Sequence, residues 1–151
     1  MIEAMVYSFS DTRDVRALVA TADSCLAAWA CERLRAAGMK VCDEAADLEA
    51  ATLLAGELQP DVCLLDVALP GGGMAALQSI RERVPNTRVV MLAPSVDDPT
   101  LLPAVNAGAS GCMVGTPDGA ALGRVLADVL SGHVALPRVL LARLVASLRA
   151  A

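Results

Sequence analysis

Between residues 15 and 131 the chain repeats one pattern five times: a short apolar run, then a longer stretch whose apolar residues recur at helical spacing. The runs at 15–20, 40–45, 61–66, 88–92 and 110–114 read as strands, and the stretches at 25–37, 47–58, 74–84, 99–107 and 118–131 read as helices. Such alternation constrains the fold more than composition does. Each strand–helix–strand crossover is right-handed and must return over the sheet, so the units predict a doubly wound α/β fold, a five-stranded parallel sheet covered on both faces. The run DVCLLD at 61–66 is apolar without alternation, which suits a central strand buried on both sides. Breakers stand where the scheme needs them: Gly38, Gln59-Pro60, Val84-Pro85-Asn86 and Gly108. Pro103 lacks an N–H and would kink a helix begun early, so the fourth helix is expected to be short or displaced.

A chain of 151 residues suits one domain, placed at 14–131. Residues 1–13 carry no sustained period and form an N-terminal extension; 132–151 form a linker and a C-terminal helix. In that helix Leu140, Leu141, Leu144, Val145 and Leu148 share one stripe, which needs something to bury against. A hydrophobic fraction of 56% and 19% charged residues exclude a disordered chain. No run approaches the roughly 18 apolar residues of a membrane span, and the N-terminus does not have the order of a signal peptide, so the expected location is the cytoplasm, away from membranes. The net charge of -5 argues against nucleic-acid binding by this segment itself. Five cysteines without a CxxC pair read as small buried hydrophobes rather than metal ligands or disulfides. Gly71-Gly72-Gly73 with Ala76 loosely satisfies a dinucleotide fingerprint, but it follows the third strand and not the first, so it reads as a turn. His133, between Gly132 and Val134, reads as a surface residue.

The segment PDVCLLDVALPGGG resembles the phospho-acceptor region of response-regulator receiver domains. The later segments NAGASGCMV and LSGHVALPRVLLARL are similar to those of the NarL/FixJ-like branch, which carries a C-terminal helix-turn-helix. The resemblance implies a flavodoxin-like sheet with strand order 2-1-3-4-5 and a site at the carboxyl ends of the strands. It also implies four site components: an acceptor Asp, an acidic pair holding Mg²⁺, a Thr or Ser after strand four and a Lys after strand five. Asp66 stands at the acceptor position. Thr21 and Ala22 stand where the acidic pair is expected, Ala93 where the hydroxyl is expected, with Ser95 two residues on, and Gly115 where the lysine is expected. Lys40, the single lysine among twelve basic residues, begins strand two at the opposite end of the sheet. Nearby Asp23 lies one position late and reads as a helix cap. A one-residue slide of strand one would make it a ligand, at the cost of exchanging the strand's two faces. Cys112 takes the place of the aromatic that reports the switch in related receivers.

These substitutions imply a degenerate receiver, a pseudo-receiver in a two-component phosphorelay setting that is not switched by phosphate. Mg²⁺, usually held through one or two carboxylates, is expected to bind weakly or not at all, and no other cofactor is implied. The expected role is regulatory and non-enzymatic, through contacts with a second copy (a homodimer) or another signalling protein. Transcription control would follow through a DNA-binding domain beyond Ala151. Two alternatives stand beside it: a working phospho-acceptor at Asp66, and a module whose roomier, less polar crevice around Ala22, Asp66, Ala93 and Gly115 takes a small-molecule effector.

Overall fold

The computed structural model describes residues 14–116 and 119–150. The expected extension at 1–13, and residue 118 at the expected start of the fifth helix, lie outside the described residues. Five strands, β1 (Arg16–Ala20), β2 (Lys40–Ala45), β3 (Val62–Asp66), β4 (Arg88–Ala93) and β5 (Gly111–Val114), form one parallel sheet in the order β2-β1-β3-β4-β5. Between and after them lie α1 (Ser24–Ala36), α2 (Leu48–Leu58), α3 (Gly73–Arg83), α4 (Leu101–Asn106), α5 (Gly119–Leu130) and α6 (Arg138–Ala150).

Alternation along each strand divides the core into two halves. Leu18, Cys63, Leu65, Met91 and Cys112 face α2, α3 and α4. Ala17, Val19, Leu64, Val90 and Met113 face α1 and α5, meeting Leu34, Leu122 and Leu126. All five residues of β3 are buried, in keeping with its central position.

Local chemistry starts the helices. Asp23 caps α1, its carboxylate accepting from the N–H groups of Cys25 and Leu26, and Asp47 caps α2 by accepting from Ala50. Each cap satisfies donors that the first helical turn leaves free. Gly73 opens α3 where the helix crosses the end of β3: a Cβ there would lie 2.7 Å from the carbonyl oxygens of both Asp66 and Val67. The fourth helix is six residues long, short as Pro103 leads one to expect and narrower than the apolar stretch at 99–107. It begins at Leu101, which puts Pro103 in the first turn, where its missing N–H removes no helical hydrogen bond.

After α5 the chain returns to the sheet. Ala135 forms a parallel bridge with Gly111, accepting from Cys112 N–H at 2.9 Å and donating to Ser110 at 3.0 Å. The following helix, α6, packs against α4 and places Leu140 in the α2–α4 half of the core. Arg143 pairs with Asp97 at 2.7 Å and donates to the Val96 carbonyl, both in the loop before α4. The stripe expected to be buried is therefore used only at one end: Leu140 is buried and Leu144 half-buried, whereas Leu141, Val145 and Leu148 are exposed. The helix lies against a six-residue partner, too short to cover three turns of α6. Among the described residues no helix is long and apolar enough to cross a membrane.

Candidate functional site

Parallel strands bring their carboxyl ends to one edge, and the register fixes which residues meet there. Ala20 pairs with Leu65 of β3 and Ala45 of β2, so the next residue, Thr21, stands beside Asp66. The Thr21 hydroxyl donates to Asp66 Oδ2 at 2.6 Å, and the Ala68 N–H donates to Oδ1 at 2.9 Å. Both side chains are buried, Thr21 at 6% exposure and Asp66 at 8%. A 2.6 Å O–H···O contact lies in the range of a charge-assisted hydrogen bond. The carboxylate at the end of β3 thus has one donor on each oxygen, both supplied by the fold.

Asp23 faces the same edge but does other work. Its N–H donates to Thr21 Oγ1 at 3.1 Å while its carboxylate caps α1, so strand one keeps the register that leaves Asp23 outside it. Ala22 is exposed. Ala93 is buried at the end of β4, and Gly115 N–H donates to the Ala93 carbonyl at 2.8 Å. Gly115 has a φ of +70°, and a Cβ added there would meet nothing within 4 Å. Ser95 turns into its own loop, its hydroxyl accepting from Asp97 N–H at 3.1 Å. Lys40 is exposed at the other end of the sheet.

Asp66, Ala93 and Gly115 border a cleft of about 580 Å³. Leu26 and Trp29 of α1 form one wall and Leu92, Ala93 and Pro94 the other, with Cys25 and Thr116 also lining it. Among the described residues the charged side chains lining it are Asp23 and Asp66, and no basic residue does so. Ala22, expected at this crevice, is not part of its lining, because the backbone turns outward after Thr21 to enter the capped helix. Trp29 was not singled out from sequence. Its spacing of three from Leu26 was the available signal, since residues three apart share a helical face.

The cysteines divide. Cys31, Cys63 and Cys112 are buried, Cys42 is half-buried, and Cys25 is exposed at the cleft, so the expectation of buried thiols does not hold for Cys25. Cys25 lies in the solvent-facing first turn of α1 and not in a strand. Burial pushes the thiols of Cys63 and Cys112 up to about 12. Cys112 points into the α2–α4 half of the core, away from the cleft.

The donor set does not fit the resident Mg²⁺ that the receiver resemblance implies. Mg²⁺ takes octahedral oxygen ligands and is usually anchored by one or two carboxylates. Here Asp66 is the one buried carboxylate among the described residues, and Asp23, the other acid lining the cleft, spends Oδ1 on capping α1. Among the described residues no three His, Cys, Asp or Glu side chains are grouped as a metal would require.

Residues 17–122 match the response regulator receiver domain family. The chain is 35% identical over 114 residues to the DNA-binding transcriptional activator DevR/DosR of Mycobacterium tuberculosis, covering 75% of this chain and 52% of that protein. It is 32% identical over 111 residues to the nitrate/nitrite response regulator protein NarL of Escherichia coli K12, covering 73% and 51%. The chain therefore spans about half the length of these curated relatives. Among solved structures, a two-component response regulator of the LuxR family from Aurantimonas sp. SI85-9A1 superposes with a TM-score of 0.77 at 28% identity, covering 90% of this chain and 98% of that one. The signal receiver domain of the putative response regulator NarL from Mycobacterium tuberculosis gives 0.73 at 27% identity, covering 80% and 99%. With the sheet order, the aspartate at the end of β3 and these matches in agreement, the chain belongs to the response regulator receiver domain family, in its NarL/LuxR-type branch.

Proposed function

We propose that this receiver domain acts independently of phosphorylation, as a regulatory and non-enzymatic part of a cytoplasmic transcription regulator. The observation that carries this reading is the state of Asp66. Each of its oxygens accepts one hydrogen bond, from Thr21 and from Ala68; among the described residues no basic side chain lines its cleft, and the one other carboxylate there, Asp23, caps α1. Phosphoryl transfer to a carboxylate depends on positioned cations that offset charge on the transferred oxygens. In this cleft a phosphoryl group would meet two anions and apolar walls.

Signalling then runs through protein contacts, with a second copy of the domain or another signalling protein as partner. By analogy with the DNA-binding activator it resembles, the domain serves a DNA-binding module in the whole protein. The test is incubation with Mg²⁺ and acetyl phosphate followed by intact mass. The expected spectrum is unchanged; a gain of one phosphoryl group that vanishes in Asp66→Asn overturns the proposal. Sedimentation before and after the same treatment is expected to give one unchanged oligomeric state.

A further inference from the structure

We propose that the cleft above Asp66 is a binding site for a small aromatic cation, with its ring on Trp29 and its charged donors on the Asp66 carboxylate. The inference rests on the phosphate-independent reading for its biological role, and on the chemistry of the cleft for binding itself. At about 580 Å³ the cleft lies within the roughly 300–1,000 Å³ of small-molecule sites. It also has their usual make-up, mostly apolar walls around a few polar groups.

Charge selects the ligand. Asp66 is 92% buried and opens onto the cleft, and Asp23 lies at the rim. Among the described residues no Lys, Arg or His lines the space, so an anion meets uncompensated repulsion, and a neutral apolar molecule strips water from a carboxylate without replacing it. A carboxylate offers about four acceptor positions. Thr21 and Ala68 occupy one on each oxygen, which leaves one on each oxygen for a forked donor such as an amidinium or guanidinium. The indole of Trp29 favours a flat, electron-poor ring or the cation itself. Ala93 and Gly115, with side chains of one carbon or none, leave the space beside Asp66 unfilled.

Trp29 is the sole tryptophan, so tryptophan fluorescence, excited selectively over that of Tyr7, reports from the cleft wall. The full chain is titrated with benzamidine, benzyl alcohol and benzoate, and Cys25 alkylation by N-ethylmaleimide is timed with and without each probe. Benzamidine is expected to give a saturable signal with Kd of about 1 mM, suited to so small a fragment, and to slow Cys25 labelling at least threefold. Benzoate is expected to do neither, and Asp66→Asn to weaken benzamidine about tenfold while leaving benzyl alcohol unchanged. Equal response to all three probes, no protection of Cys25, or undiminished benzamidine binding by Asp66→Asn overturns the inference. If Asp66→Asn does not fold, the protection of Cys25 in the unaltered chain decides alone. Absence of benzamidine binding sinks the site whatever acetyl phosphate does. Benzamidine binding by a chain that acetyl phosphate also labels supports the site and sinks only the phosphate-independent reading.

Discussion

Replacing Thr21 by Val removes one hydroxyl and little volume, so its effect isolates the contact with Asp66. Donor and acceptor are buried, 2.6 Å apart, and the acceptor is a carboxylate. Hydrogen bonds to charged groups contribute about 1.5–3 kcal/mol, and a buried carboxylate left with one donor fewer loses the upper part of that range. The Asp23 N–H also loses its acceptor, but Asp23 is exposed and water replaces it. A destabilisation of about 2 kcal/mol follows, which for a chain near 150 residues lowers Tm by roughly 4–8 °C. Urea unfolding followed by circular dichroism measures it, and a double-mutant cycle with Asp66→Asn isolates the pairwise part. A loss below about 0.5 kcal/mol, or a coupling near zero, refutes the view that Thr21 holds the carboxylate.

Four further outcomes follow from packing and burial. Because burial raises Cys63 and Cys112 to about 12, the folded chain keeps protons that the unfolded chain releases from about pH 9. The contribution is complete below pH 9 and is lost as pH rises through about 12, so stability should fall over that window; urea midpoints at stepped pH check it. At neutral pH Cys25 should react with a thiol reagent before the buried Cys63 and Cys112, as peptide mass mapping would show. Leu140→Ala should cost about 2–5 kcal/mol and free α6 for early proteolytic cleavage, since Leu140 is the residue of α6 buried in the core. Gly73→Ala should destabilise by about 3 kcal/mol through its clash with backbone oxygens, whereas Gly123→Ala, mid-helix with nothing within 4 Å, should stabilise by about 0.5–1 kcal/mol; thermal melts separate the two.

The strand–helix rhythm was legible because each face of a doubly wound sheet writes itself into the chain. The expected strand at 40–45 coincides with β2, and DVCLLD at 61–66 differs from β3 by one residue. Asp66 and the capping role of Asp23 were legible for the same local reasons: a strand end, and an acid before a helical run. Other features depend on partners remote in sequence. That Thr21 would donate to Asp66 needed the pairing of β1 with β3, forty-five residues apart. That Trp29 would wall the cleft needed the packing of α1 over β1 and β2, which brings it to the same end of the sheet as Leu92 and Ala93. The apolar stripe of α6 stated a wish for burial, but periodicity does not say how much surface a neighbour offers, and α4 offers little.

The contact between Ala135 and β5 has a mechanical consequence. A Cβ on Gly111 would sit 3.0 Å from the Ala135 carbonyl, so a glycine at this rung lets the returning chain draw close enough to dress the outer edge of the sheet. An undressed edge strand is a template for sticking to another molecule. Here the two main-chain bonds that shield it also tie α6 to β5, and Arg143 ties the same helix to the loop flanking the cleft. The helix is thereby moored twice, through the segment before it to β5 and through Arg143 to the loop before α4, so that neither mooring alone fixes its direction.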